Sequence, residues 1–228
     1  MAGLFYFLYF QVFKTVNNKT MAATLLKINP ENPQMSKIAQ VVEILRNGGV
    51  IIYPTDTIYG LGCDLHNARA LEKVCRLKGL KPDKANLSFI CQDLTHISDY
   101  AKMDTGTYKV MKKALPGPFT FILEAGSKLP KVGGARKKTV GIRVPNHNIP
   151  QLLVQELGNP LISTSLRDDD EILEYSTDPE LIFEKFKHQV DAVIDGGFGK
   201  NVASTIVNCE NGEFAILRQG AGDINEFI

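Results

Sequence analysis

The chain has 228 residues, 44% hydrophobic and 22% charged, with a formal net charge of +1. That is ordinary globular composition with apolar material for one good core, so one domain with short appendages is expected. Near-neutral charge rules out whole-chain electrostatics as a pointer to any partner.

Taken in chain order, the first feature is a nearly all-apolar run from Leu4 to Phe13, LFYFLYFQVF. It is far too short to span a bilayer, which takes about 20 residues. It resembles a signal-peptide core but lacks a basic start and a small-residue cleavage site. Met21 opens a more conventional beginning, MAATLLKINP. Residues 1–20 are therefore read as an N-terminal extension, upstream of the true start or a short disordered accessory segment, with a cleaved leader as the alternative. Residues 21–228 are read as a single domain.

Ser36 is placed to cap a helix in which Ile38, Val41, Val42 and Leu45 share a face, and Gly48-Gly49 ends it. VIIY at 50–53 is a short apolar strand halted by Pro54. ARALEKVCRLKG at 68–79 sets Leu71, Val74, Cys75 and Leu77 on one helical face before Gly79 stops it. LSFIC at 87–91 reads as a strand, followed by helices at DLTHISDYA and TGTYKVMKKAL. FTFILE at 119–124 and TVGIRV at 139–144 are strands, then come a helix at IPQLLVQEL and a strand at PLIST, 160–164. A helix at 179–188 precedes strands at DAVID, STIVNC and FAILRQ. Short strands interleaved with helices predict an α/β fold, and the closing pair joined by ENGE makes the sheet mixed.

Local charge is uneven. From Leu71 to Arg143 there are 15 Lys/Arg against 6 Asp/Glu, whereas Glu156 to Glu184 holds 9 acidic residues against Arg167 alone. This asymmetry fits either a basic cleft beside an acidic rim, which would attract phosphates, or solvated faces that never converge. The four cysteines form no CxxC pair and the four histidines are scattered, so neither a disulfide framework nor a protein-bound metal is expected.

Four segments place hydroxyl, glycine or basic residues at strand ends, where open α/β sheets bind ligands. Tyr53-Pro-Thr-Asp-Thr-Ile-Tyr-Gly-Leu-Gly62 reads as a loop bearing Thr55, Thr57 and Tyr59, with two glycines that let backbone approach a ligand. By composition it is equally a plain turn. Lys78, Lys81 and Lys84 punctuate a Gly/Pro loop that fits phosphate as point charges, or simply a solvated surface. Leu115-Pro-Gly-Pro-Phe-Thr120 is a rigid turn into a strand. In the fourth, Arg143 alternates with apolar residues on a strand, and a buried guanidinium requires an anion; the alternative is an edge position facing water. The Ser163-Thr164-Ser165 cluster fits a phosphate or carboxylate, or a cap for the next segment.

PTDTIYGLG, KGLKP, LPGPFTFIL, TVGIRVPNH, PLISTS and the closing STIV…ILRQGA resemble, in order, the blocks of the YrdC/YciO superfamily, from about Ile28 to the C-terminus. The resemblance implies a YrdC-type twisted open mixed sheet with flanking helices and a concave, positively charged cavity. It implies the family reaction, in which L-threonine, bicarbonate and ATP give threonylcarbamoyl-AMP and pyrophosphate for tRNA threonylcarbamoyladenosine modification. Thr57, Tyr59, Arg143 and Ser163 would then serve threonine, with Arg143 forking its carboxylate. Lys78, Lys81, Asn86, Thr139, Ser165 and Arg218 would serve the nucleotide and its phosphates. No residue is assigned an acid–base role, because positioning and phosphate electrostatics carry such chemistry. ATP enters as substrate with Mg²⁺ on its phosphates, and the expected setting is cytoplasmic, without a membrane.

Three departures from the synthase pattern resemble the YciO branch. Leu80 stands where the basic motif KxR has Arg, Cys91 where His is usual, and Leu166-Arg167 where Ala-Asn follows the hydroxyl cluster. All three are expected in the nucleotide–threonine site. Two functions remain open: a nucleotidyltransferase of the threonylcarbamoyl-AMP synthase type, toward which the retained residues lean, and a non-catalytic binder of double-stranded RNA, tRNA or rRNA.

Overall fold

The computed structural model describes residues 22–82, 85, 87–95, 97–127, 129, 136–166 and 177–228. The extension at 1–20, Asn86 and Arg167 lie outside the described residues. The strands are β1 (Thr24–Lys27), β2 (Val50–Tyr53), β3 (Gly60–Asp64), β4 (Ser88–Ile90), β5 (Ala101–Lys102), β6 (Phe119–Ala125), β7 (Thr139–Arg143), β8 (Leu161–Ser165), β9 (Ala192–Asp195), β10 (Thr205–Asn208) and β11 (Ala215–Arg218). The helices are α1 (Met35–Arg46), α2 (Ala68–Leu77), α3 (Ile97–Tyr100), α4 (Thr105–Ala114), α5 (Asn148–Leu157) and α6 (Pro179–Phe186).

The strands form one mixed sheet in the order β1-β9-β2-β3-β8-β4-β7-β6-β10-β11, with β5 beside β6. Strands β1/β9, β2/β9, β4/β7 and β6/β10 run parallel, and the remaining neighbours are antiparallel.

Period-two alternation splits the core between the two faces. Val50 and Ile52 of β2, Val193 of β9, and Phe121 and Leu123 of β6 pack with Leu71 and Val74 of α2, Met111 of α4 and Ile182 of α6. Ile51, Tyr53, Ala192 and Ile194 point the other way, onto Ile38, Val41 and Leu45 of α1 and Ile149 and Leu153 of α5. Burial on both sides explains why VIIY is apolar throughout.

On the second face, the cluster that includes α1 and α5 takes in residues of β1, β9, β2, β4 and β8, and none from β7, β6, β10 or β11. There the residues of the same parity are Thr120, Ile122 and Glu124 of β6, Thr139, Gly141 and Arg143 of β7, and Ile206 and Asn208 of β10, next to Ser88 of β4. The register aligns them in rows: Gly62 opposite Ser163, Ser163 opposite Ser88, and Ser88 opposite Gly141. Thr120 faces Ile206, which faces Arg218. A Cβ on Gly141 would lie 2.9 Å from Ser88 Oγ and 3.3 Å from Thr120 Cγ2, so this glycine lets those side chains close over the strand at the floor of the concavity.

Several local expectations are corrected. The first helix begins at Met35 with Gln34 as N-cap and no side-chain cap bond, so Ser36 lies inside it. GLGCD is a strand, not a loop, and the space its glycines leave is filled from within. A Cβ on Gly60 would fall 2.9 Å from Tyr53 Cζ, and one on Gly62 3.0 Å from Tyr53 Cε1. DLTHISDYA reduces to the one turn of α3, and β1 had no expectation at all. Gly48, at φ +83°, closes α1 as the sequence implied.

Candidate functional site

The open half of the sheet floors a cavity of about 420 Å³ lined by, among others, Lys78, Leu80, Ser88, Thr120, Arg143, Ser163, Ser165, Ser204 and Arg218. Each comes from the C-terminal part of a helix or from a strand or its flank: Lys78 caps the end of α2, Arg143 ends β7, Ser163 and Ser165 sit on β8, and Arg218 ends β11.

Arg143 is the most constrained of these groups. Strand β7 lies between β4 and β6, so the edge-strand alternative is excluded. Its side chain is 11% exposed and its Nη2 donates to Asp56 Oδ1 at 2.6 Å, Thr57 Oγ1 at 2.6 Å and Thr55 Oγ1 at 3.2 Å. The anion that a buried guanidinium requires is thus Asp56, which the motif reading passed over. Asp56 Oδ2 in turn accepts the Asn146 N–H at 3.1 Å, tying the loop to the start of α5. Arg143 Nε is buried with no hydrogen-bond partner among the described residues.

Of the threonine-side residues, Arg143, Tyr59 and Ser163 line the cavity. Thr57 is fully buried behind the guanidinium and is not among the lining residues. Tyr59 is fully buried, with its ring in the core cluster of the opposite face. Its hydroxyl donates to Gly197 O at 2.7 Å and accepts from Gly196 N at 3.3 Å; burial pushes its pKa up. Ser163 Oγ accepts the Tyr53 hydroxyl at 2.5 Å, and burial raises that phenol to about 12.

Of the nucleotide-side residues, Lys78, Ser165 and Arg218 share the same wall. Lys78 Nζ lies 3.5 Å from Leu166 O, and Arg218 Nη2 and Nε donate to Ser204 O at 2.9 and 3.3 Å. Ser204 Oγ is 2.8 Å from Thr120 Oγ1. Thr139 lies apart, in an adjoining hollow of about 370 Å³ with Lys137 and Glu210 that shares Ser88, Thr120 and Ile206 with the cavity. Lys81 is exposed and outside the wall, and Asn86 lies outside the described residues.

Sequence reasoning missed Asp56, Tyr53, Ser88, Thr120 and Ser204. The anion requirement of Arg143 is the signal that points to Asp56, the acid of the PTDT loop. The departures also separate. Leu80 is in the wall and 40% exposed. Cys91 is not: it is buried, faces a different hollow with Gln92, Asp93 and Pro160, and burial lifts its thiol to about 12. Leu166 is buried beside the wall, its N–H on Tyr59 O at 2.9 Å.

All four cysteines are free and buried. Among the described residues, no group of three His, Cys, Asp or Glu is placed to hold a metal ion, and no helix is long and apolar enough to cross a membrane.

A family model, Sua5_yciO_yrdC, described as "Telomere recombination", matches residues 43–220. The chain belongs to the Sua5/YciO/YrdC family. It is 39% identical to YciO of Escherichia coli K12 over 203 residues, 88% of this chain and 97% of that one. The crystal structure of E. coli YciO superposes with a TM-score of 0.83 at 38% identity, covering 90% of this chain and all of that one. P. abyssi Sua5 in complex with L-threonine gives a TM-score of 0.76 at 25% identity, covering 87% of this chain and 58% of that one. The twisted mixed sheet with flanking helices is thus a family feature.

Proposed function

We propose that the cavity binds ATP with L-threonine and bicarbonate and joins them as threonylcarbamoyl-AMP. The threonine amine adds to bicarbonate with loss of water, a carbamate oxygen forms a bond to the α-phosphorus, and pyrophosphate leaves. The observation that carries this reading is the convergence of Arg143, Lys78 and Arg218 with the Ser163 and Ser165 hydroxyls around one cavity. About 420 Å³, with an adjoining hollow, lies within the usual range of small-ligand pockets, roughly 300–1,000 Å³.

In this reading the threonine carboxylate approaches Arg143 and Ser163, with Asp56 holding the guanidinium. The phosphates lie toward Lys78 and Arg218 and bring Mg²⁺ with them. The chain's part is positioning and charge stabilisation, with no general base required. Adenosine beside a tRNA anticodon is the proposed acceptor, and buried free thiols suit a reducing cytoplasm. The Sua5 complex with L-threonine, on a shared fold, supports the amino-acid half.

Leu80 favours a second reading. It puts an apolar side chain in the wall where a fork for phosphate would strengthen nucleotide binding. A protein that binds double-stranded RNA, tRNA or rRNA without acylation fits that feature.

Titration calorimetry separates the two. The synthase reading expects L-threonine to bind, to bind more tightly with Mg²⁺–ATP present, and to be lost in Arg143→Met. Binding of duplex RNA that falls steeply with salt, with no heat from threonine, supports the second reading and overturns the first.

A further inference from the structure

One buried group next to the cavity is unused by the chemistry above. Tyr53 is fully buried at the end of β2, in space that Gly60 and Gly62 leave on the neighbouring strand. Its hydroxyl meets Ser163 Oγ at 2.5 Å and has no second partner among the described residues. A phenol has one hydrogen to donate, and leaving it unpaired in a dry site is costly. The Tyr53 O–H must therefore donate to Ser163, and Ser163 cannot use its own hydrogen on Tyr53.

That hydrogen has two destinations. Leu61 O is 3.4 Å away, well beyond the usual 2.5–3.0 Å for a hydroxyl donor. The other is the cavity, which Ser163 lines. Across β4, Ser163 is level with Gly141 and Leu161 with Arg143, so Ser163 and Arg143 stand diagonally over one intervening strand. Arg143 brings a buried Nε without an acceptor to the same wall.

We infer that Tyr53 is a positioning residue that fixes Ser163 as a hydrogen-bond donor, so that this wall takes a ligand carboxylate rather than an ammonium or hydroxyl donor. The inference rests on the amino-acid reading of the cavity and names the end of the amino acid that is read there.

The test uses the full chain and calorimetry with L-threonine, and separately with Mg²⁺–ATP. Tyr53→Phe, which keeps the ring, is expected to weaken threonine about ten-fold, the scale of one hydrogen bond to a charged group. Its ATP affinity should be unchanged, which a general loosening of the fold would not allow. Ser163→Ala should lose a similar factor, and the double variant no more than either single change. Wild-type threonine affinity in Tyr53→Phe, or additive losses, would overturn the inference.

Proton NMR of the Tyr53 hydroxyl gives a readout independent of any ligand. A slowly exchanging hydroxyl signal with an Overhauser contact to the Ser163 β-protons, shifted in Ser163→Ala, is expected. If wild type binds no threonine, the amino-acid reading fails while this signal still decides the donor orientation, and its absence would refute it.

Discussion

Replacing Asp56 by Ala should destabilise the protein through Arg143 rather than through lost packing. The two side chains are 8% and 11% exposed and 2.6 Å apart, so removal leaves a buried guanidinium without its counter-charge. Breaking a buried pair from one side costs about 3–5 kcal/mol. Thr55 and Thr57 still accept from Nη2 and the cavity admits water, which favours the lower end, about 3 kcal/mol. For a chain of this size each kcal/mol moves Tm by about 2–4 °C, giving a fall of about 6–12 °C. Circular dichroism melting and urea titration at two salt concentrations measure it, and the effect should be nearly salt-independent. The double variant Asp56→Ala/Arg143→Met should recover much of the loss, because an apolar pair demands no counter-charge. A fall under about 2 °C, corresponding to less than about 1 kcal/mol, or strict additivity in the double variant, would refute the reasoning.

Burial lifts the thiols of Cys63, Cys91 and Cys209 to about 12 and raises that of Cys75, so the native protein should react slowly with a disulfide reagent near neutral pH. All four should react promptly in urea, and rapid native labelling of any of them would contradict the packing described. His147 caps α5 by accepting the Ile149 N–H on Nδ1, and burial holds its pKa below the ordinary 6.5. The native state thus excludes a proton that the unfolded chain binds, so stability should be lost as pH falls below about 6.5 toward the lowered value. In His147→Asn, which keeps a capping acceptor, urea midpoints should vary less over that window; an unchanged slope would show that His147 is not the sensor. Gly60→Ala forces a Cβ to within 2.9 Å of Tyr53 Cζ and should cost about 1–3 kcal/mol by overpacking, measured as a urea midpoint shift. The penalty should shrink in a Tyr53→Leu background, and a neutral Gly60→Ala would mean that the ring has room to move.

The fold was legible where one physical signal governed. VIIY is a strand over its whole predicted length because continuous apolarity and Pro54 both bound it. The helices ended by Gly48 and Gly79 follow from the left-handed conformation that glycine supplies, at φ +83° and +64°. Strand β3 was hidden because its glycines signal a turn locally, and only the Tyr53 ring, brought in from the neighbouring strand, explains them. The site was partly legible for the same reason. Arg143 announced itself as a charge on an apolar strand, but its partner across 87 residues could not be read from spacing. Thr139 shares a strand and a face with Arg143, yet its position near the strand start carries it into the adjoining hollow. Cys91 sits one residue past β4, on the far side of a buried strand end, which is why its departure from the synthase pattern does not touch the cavity.

The central claim is that this cavity performs an adenylate-forming reaction on L-threonine. Pyrophosphate release from Mg²⁺–ATP and bicarbonate, with and without L-threonine, tests it most directly, alongside Arg143→Ala checked for folding. The account predicts release that depends on threonine and is abolished in Arg143→Ala, despite Leu80 in the wall. No threonine-dependent release from folded wild-type protein would contradict it.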